Sequence, residues 1–141
     1  MKLSVFIVLV LNLWSCQKQS QSNPLIGTWK LVYAETNEND SIKIKDLSNT
    51  QFIKIINHTH FAFFNQKNEG NENYYGGAGT YTLNENDYIE TLSFTSVGAM
   101  KNHRFPFKVS VKDDSLIQSG VERIKEAGIN RTIIEKYIKV Q

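Results

Sequence analysis

From Gly27 onward, apolar and polar residues alternate in short runs separated by clusters of Asn, Asp, Gly and Lys, and a helical period is almost absent. Eight runs have the length and alternation of strands: 27–35, 51–57, 60–66, 74–83, 87–95, 103–112, 115–119 and 132–140. The links "NQKNEGNEN", "NEND" and "KDDS" are built from turn formers, so neighbours along the chain are expected to pair antiparallel. Two links are longer. "TNENDSIKIKDLSN" follows the first run. "GVERIKEAGINR" precedes the last, and there Val121, Ile124 and Ala127 lie three apart with Gly128 as a C-cap, which predicts a helical turn or two.

Eight sequential strands in a flat meander would leave two unpaired edges and one bare apolar face. Pairing the first strand with the last removes both. The expected fold is therefore all-β, an eight-stranded up-and-down antiparallel β-barrel, whose interior is either filled by side chains or holds one small ligand. A two-layer sandwich satisfies the same strand count, and the short meander-like links favour the barrel.

The hairpin "GTYTLNENDYIETLSF" allows faces to be assigned. With a turn over 84–87, Leu83 pairs with Tyr88 and Tyr81 with Glu90, so Tyr81, Leu83, Tyr88, Glu90, Leu92 and Phe94 share the apolar face, which is expected to point inward. Glu90 is then a carboxylate in an apolar stripe. His103 is in phase with Phe105, Phe107, Val109 and Val111 on the following run. Tyr81, Glu90, Phe94, His103, Phe105 and Phe107 are the candidate ligand-lining residues, with Glu90 as a polar anchor. The alternative is a structural carboxylate bonded to Tyr81. In "HFAFF", Phe61 and Phe63 share one face and Phe64 takes the other.

The first residues are outside this pattern. "MKLSVFIVLVLNLWSC" has Lys2, an apolar run from Val5 to Leu11 and Ser15 directly before Cys16, which makes residues 1–15 an export signal. The ending "LWSC" resembles the lipobox of bacterial lipoproteins, in which the cysteine is lipidated. The rival is an ordinary cleaved signal that leaves Cys16 free. Residues 16–23 would be the lipidated cysteine and a flexible spacer, and 24–141 the barrel domain. Acyl chains contribute about 0.8 kcal/mol per buried methylene, so such an anchor needs no transmembrane helix. Because the spacer "QKQSQSN" lacks acidic residues, the resemblance implies an outer-membrane lipoprotein on the periplasmic face.

With 40% apolar residues over 141, one packed domain is expected. Cys16 is the sole cysteine, so no thiol remains for a disulfide, a metal cluster or a nucleophile. Without the leader the chain holds fifteen basic residues against fourteen acidic ones, a balance that argues against nucleic acid as partner.

The stretch "IGTWKLV" resembles the Gly-x-Trp first-strand motif of the lipocalins and the wider calycin group, and it is answered by "IIEKYIKV" at the far end. The resemblance implies that Gly27 and Trp29 form the barrel floor, with the Trp packed against a basic residue of the final strand. Lys139 aligns best with that position, and Lys136 is the runner-up. "THFAFFNQ" and "GGAGTYTLNENDYIE" are similar to a family of lipocalin-like lipoproteins of Bacteroidetes that has no assigned ligand. The Thr-Asp-Tyr motif and the disulfides usual in lipocalins are absent from this sequence.

Other chemistry is sparse. His58 and His60 stand two apart in "NHTH" without a third ligand, so a turn is the better account and no metal or other cofactor is expected. Gly76 to Gly79 run into a strand, not a helix, which fits barrel bending better than a phosphate loop. Asp113 and Asp114 suit a solvated turn. An enzyme, of hydrolase or isomerase type, would have to rely on Glu90, His60 or His103, so a non-enzymatic role is expected. The first expectation is a membrane-anchored binder of a small hydrophobic molecule. The alternative is a filled barrel whose loops, 36–49 and 120–131, contact an envelope protein as an inhibitor or assembly helper.

Overall fold

A computed structural model describes residues 22–140 apart from 71 and 73. The expected leader, Cys16 and most of the spacer lie outside the described residues. The strands are β1 (Gly27–Glu38), β2 (Ser41–Ile44), β3 (Thr50–Ile56), β4 (His60–Lys67), β5 (Tyr75–Asn84), β6 (Asp87–Thr95), β7 (Arg104–Lys112), β8 (Ser115–Ile124) and β9 (Ile129–Lys139). They follow the order β2-β1-β3-β4-β5-β6-β7-β8-β9, all antiparallel, and β1 also pairs with β9. Eight strands thus close an up-and-down barrel, and β2 is an extra strand attached to the outer half of β1.

Alternation sets the inward face. On β7, Phe105, Phe107 and Val109 are buried while Arg104, Lys108 and Ser110 are exposed. The β5–β6 hairpin has the register read from sequence, Leu83 opposite Tyr88 and Tyr81 opposite Glu90.

One end of the barrel is a floor. Trp29 is fully buried, donates its Nε1–H to the Leu25 carbonyl at 2.7 Å, and lies opposite Lys139, whose Nζ is 5.4 Å from the ring centroid. Lys136 instead covers Tyr33 at 4.8 Å on the outer face. The glycine two residues before Trp29 has a local cause. Gly27 has φ 150°, and a Cβ there would come within 2.8 Å of Lys139 Cε, so a side chain would displace the lysine that covers the indole.

Three elements differ from expectation. β1 runs on to Glu38 and turns through Asn39 and Asp40, both at positive φ, into β2, so the first long link holds a hairpin. β8 continues to Ile124 and β9 begins at Ile129. Between them lies a single 3-10 turn, Lys125–Ala127, closed by Gly128 at φ 65°. The threefold spacing of Val121, Ile124 and Ala127 therefore belongs mainly to a strand, and Ile124 is fully buried.

The third difference is a β-bulge. Ala78 pairs with Phe94 but Gly79 pairs with Leu92, leaving Ser93 as the extra residue on β6. Beyond it the inward phase is reversed.

Candidate functional site

Opposite the floor the barrel opens into a cavity of about 300 Å³. Four of its walls' side chains form an aromatic cluster. Phe52 stacks on Phe63 at 5.5 Å, Tyr75 meets both edge-on at 6.3 and 6.4 Å, and Tyr137 lies 6.3 Å from Phe52. Val97, Met100, Phe107 and Ile133 add to the apolar lining.

A polar centre lies deeper. Lys54 sits between Phe52 and Ile56 on β3, so alternation turns it inward, and it is 2% exposed. Its ammonium donates to the Glu90 carboxylate and, at 2.7 Å, to the Gln118 side-chain carbonyl. The rings of Tyr88, Phe61 and Tyr137 surround it at 5.3, 5.4 and 6.0 Å. Burying two charges costs several kcal/mol per ion, and this geometry returns it through an ion pair, an amide and three ring faces.

Glu135, from β9, lies on the cavity wall and accepts a hydrogen bond from the Tyr137 hydroxyl at 2.6 Å. Burial pushes its carboxyl pKa up, against the opposing pull of the Lys54 ammonium and the Tyr137 hydrogen bond. Burial, and then the neighbouring carboxylates, push the Tyr88 and Tyr137 hydroxyls far up, so both remain neutral phenols. Nearer the mouth, Arg131 donates to Glu122 at 2.6 Å. Lys45, just after β2, donates to the Tyr75 hydroxyl at 3.1 Å.

The six residues singled out from sequence divide. Glu90 and Phe107 line the cavity. Phe94 does not: it is 72% exposed on the outer surface, because the bulge at Ser93 reverses its phase. Tyr81 belongs to the floor, where its hydroxyl donates to the Asn57 carbonyl at 2.6 Å and accepts from Asn23 Nδ2 at 2.7 Å, not to Glu90. Phe105 is buried in the core between His103 and Phe107, with ring centroids 6.3 Å from each, and is not part of the cavity lining. His103 is a rim residue, a third exposed, with Nε2 3.7 Å from Glu126 Oε2.

His58 and His60 are exposed on the β3–β4 turn, which Asn57 ties down by accepting the Thr59 and His60 amides at 2.9 and 2.7 Å. Among the described residues no three His, Cys, Asp or Glu side chains converge on a metal-sized site.

Lys54, Gln118 and Glu135 were not among the sequence candidates. Each is nevertheless in phase with buried neighbours: Lys54 with Phe52 and Ile56, Gln118 with Leu116, Glu135 with Ile133 and Tyr137.

Residues 24–141, which span the barrel from ahead of β1 past the end of β9, match the family model described as "Domain of unknown function (DUF4488)". The chain belongs to the DUF4488 family. No curated protein and no solved structure matches it. In this DUF4488 protein the closed eight-stranded barrel is consistent with a lipocalin-like fold. The chemistry open to the DUF4488 cavity is recognition of an apolar body by the aromatic wall and of a polar group by the side chains below it.

Proposed function

We propose that this DUF4488 barrel is a binding protein for a small amphipathic molecule. The observation that carries the reading is the cavity itself, about 300 Å³, with an aromatic and apolar wall, the Lys54 centre at depth, and Glu135 and the Arg131–Glu122 pair also on its lining. That volume is at the lower end for small-molecule sites, which are mostly apolar with a few placed polar groups. Glu90 takes part through Lys54, which it neutralises, and the ligand's apolar area is covered by Phe52, Phe63, Phe107 and Ile133. With Lys54 and Glu90 occupied by each other, the centre suits holding better than proton transfer, which supports a binder over an enzyme.

Native mass spectrometry of the purified protein is expected to show a bound small molecule, or a panel of apolar ligands to raise its melting temperature. Met100→Trp, which fills the mouth, is expected to remove that effect with little change in the unliganded melting temperature. No bound species and no thermal shift across the panel would reject the reading.

The alternative, a module that acts through its loops, draws on β2, where Ile42 and Ile44 are 61% and 65% exposed. Replacing both with Ser would abolish partner capture on that reading and leave ligand binding intact on the first. We also propose a lipid tether at Cys16, facing the periplasm from the outer membrane. Its support is the motif "LWSC" and the spacer after it.

A further inference from the structure

The charges that line the cavity do not balance. Glu90, Glu122 and Glu135 face only Lys54 and Arg131. Lys54 is paired with Glu90 and Arg131 with Glu122, so both cations are taken. Glu135 has no ion pair among the described residues, and its one hydrogen-bond donor is the neutral Tyr137 hydroxyl. Glu135 lines the same cavity as the rings of Phe52, Phe63, Tyr75 and Tyr137.

Glu135 also stands where the cavity meets a second opening, between the β1–β2 hairpin and the barrel mouth. That opening repeats the imbalance, with Glu35, Glu38, Glu122 and Glu135 against Lys43, Lys45 and Arg131. A carboxylate ligand entering here would meet an excess of like charge, and the buried cation that would attract it is already satisfied. An ammonium would meet an unpaired acid and the negative faces of aromatic rings, two features that favour the same sign of charge.

We propose that the molecule held in this cavity is a cationic amine, its ammonium paired with Glu135 and its flat apolar body against the wall of Phe52, Phe63 and Tyr75. The inference rests on the reading of the cavity as a small-molecule site. It adds the chemical class, and the residue that selects it.

The two ideas are separated by three probes that share one ring and differ in charge: tryptamine, indole-3-ethanol and indole-3-acetate, titrated calorimetrically into the purified protein. Tryptamine is expected to bind about tenfold more tightly than the alcohol, and the acid more weakly than either. Glu135→Gln is expected to reduce tryptamine to the level of the alcohol while leaving the alcohol within about twofold, which also reports that the variant is folded. Should Glu135→Gln fail to fold, the ranking of the three probes on the unsubstituted protein decides alone. Equal affinities, a preference for indole-3-acetate, or tryptamine binding unchanged by Glu135→Gln would overturn the amine and leave the small-molecule reading standing. No binding by any probe at millimolar concentration would overturn both.

Discussion

An ammonium and a carboxylate drawn into a barrel interior lose their hydration, and Lys54 and Glu90 recover it from each other, from Gln118 and from the surrounding rings. Neither is stable there alone. Glu90→Gln leaves a buried cation without its counter-ion and is expected to cost about 3–5 kcal/mol in urea denaturation. Combining it with Lys54→Met removes the stranded charge, so the double variant is expected to recover most of that loss. A double variant as unstable as the single would show that the pair is not the cause. Glu90 was legible in the sequence, since an acid interrupted an apolar stripe. Lys54 was equally in phase in "TQFIKII", but its neighbours Ile53 and Ile55 make both faces of β3 apolar, so alternation gave no contrast.

The bulge on β6 shows how one residue redirects half an element. Gly79 lies so close under Thr91 that a Cβ there would come within 1.9 Å of the Thr91 carbonyl oxygen, so this crossing of strands requires glycine. Gly79→Ala forces the backbones apart and is expected to destabilise the barrel by about 1–3 kcal/mol in chemical denaturation. An unchanged midpoint would mean that the bulge relaxes freely. Strict alternation carried Leu92 inward correctly and then failed at Phe94, because an inserted residue changes parity without altering composition. The β1–β2 hairpin was missed for another reason. Its turn, Asn39–Asp40, is a recognisable left-handed pair, but a four-residue strand with both isoleucines exposed has no core to announce it.

At the scale of the whole molecule, the ends of the barrel do different work. The chain enters at the floor, where Asn23 meets Tyr81 and Leu25 accepts from Trp29, and the mouth is opposite. A tether reaching back from residue 22 to Cys16 would attach the closed end to the membrane and leave the cavity facing away from it. Cys16→Ser is expected to move the protein from the membrane to the soluble fraction of cells; an unchanged membrane fraction would remove the lipid anchor from consideration.

The eight barrel strands and their antiparallel order were legible in the sequence alone, because alternation and turn residues are local, and closure was favoured because an unpaired edge is costly wherever it occurs; the ninth strand, β2, was not legible. The contact between Trp29 and Lys139 was expected from the resemblance of Gly-x-Trp to the lipocalin first-strand motif, and the structure places the two together. Only the tertiary structure decided which inward residues line open space and which fill the core. It separated Phe107 from Phe105, brought Lys54, Glu90, Gln118 and Glu135 together from four strands, and placed Phe94 outside. Those outcomes depend on register summed around a closed sheet. No single run of residues contains that information.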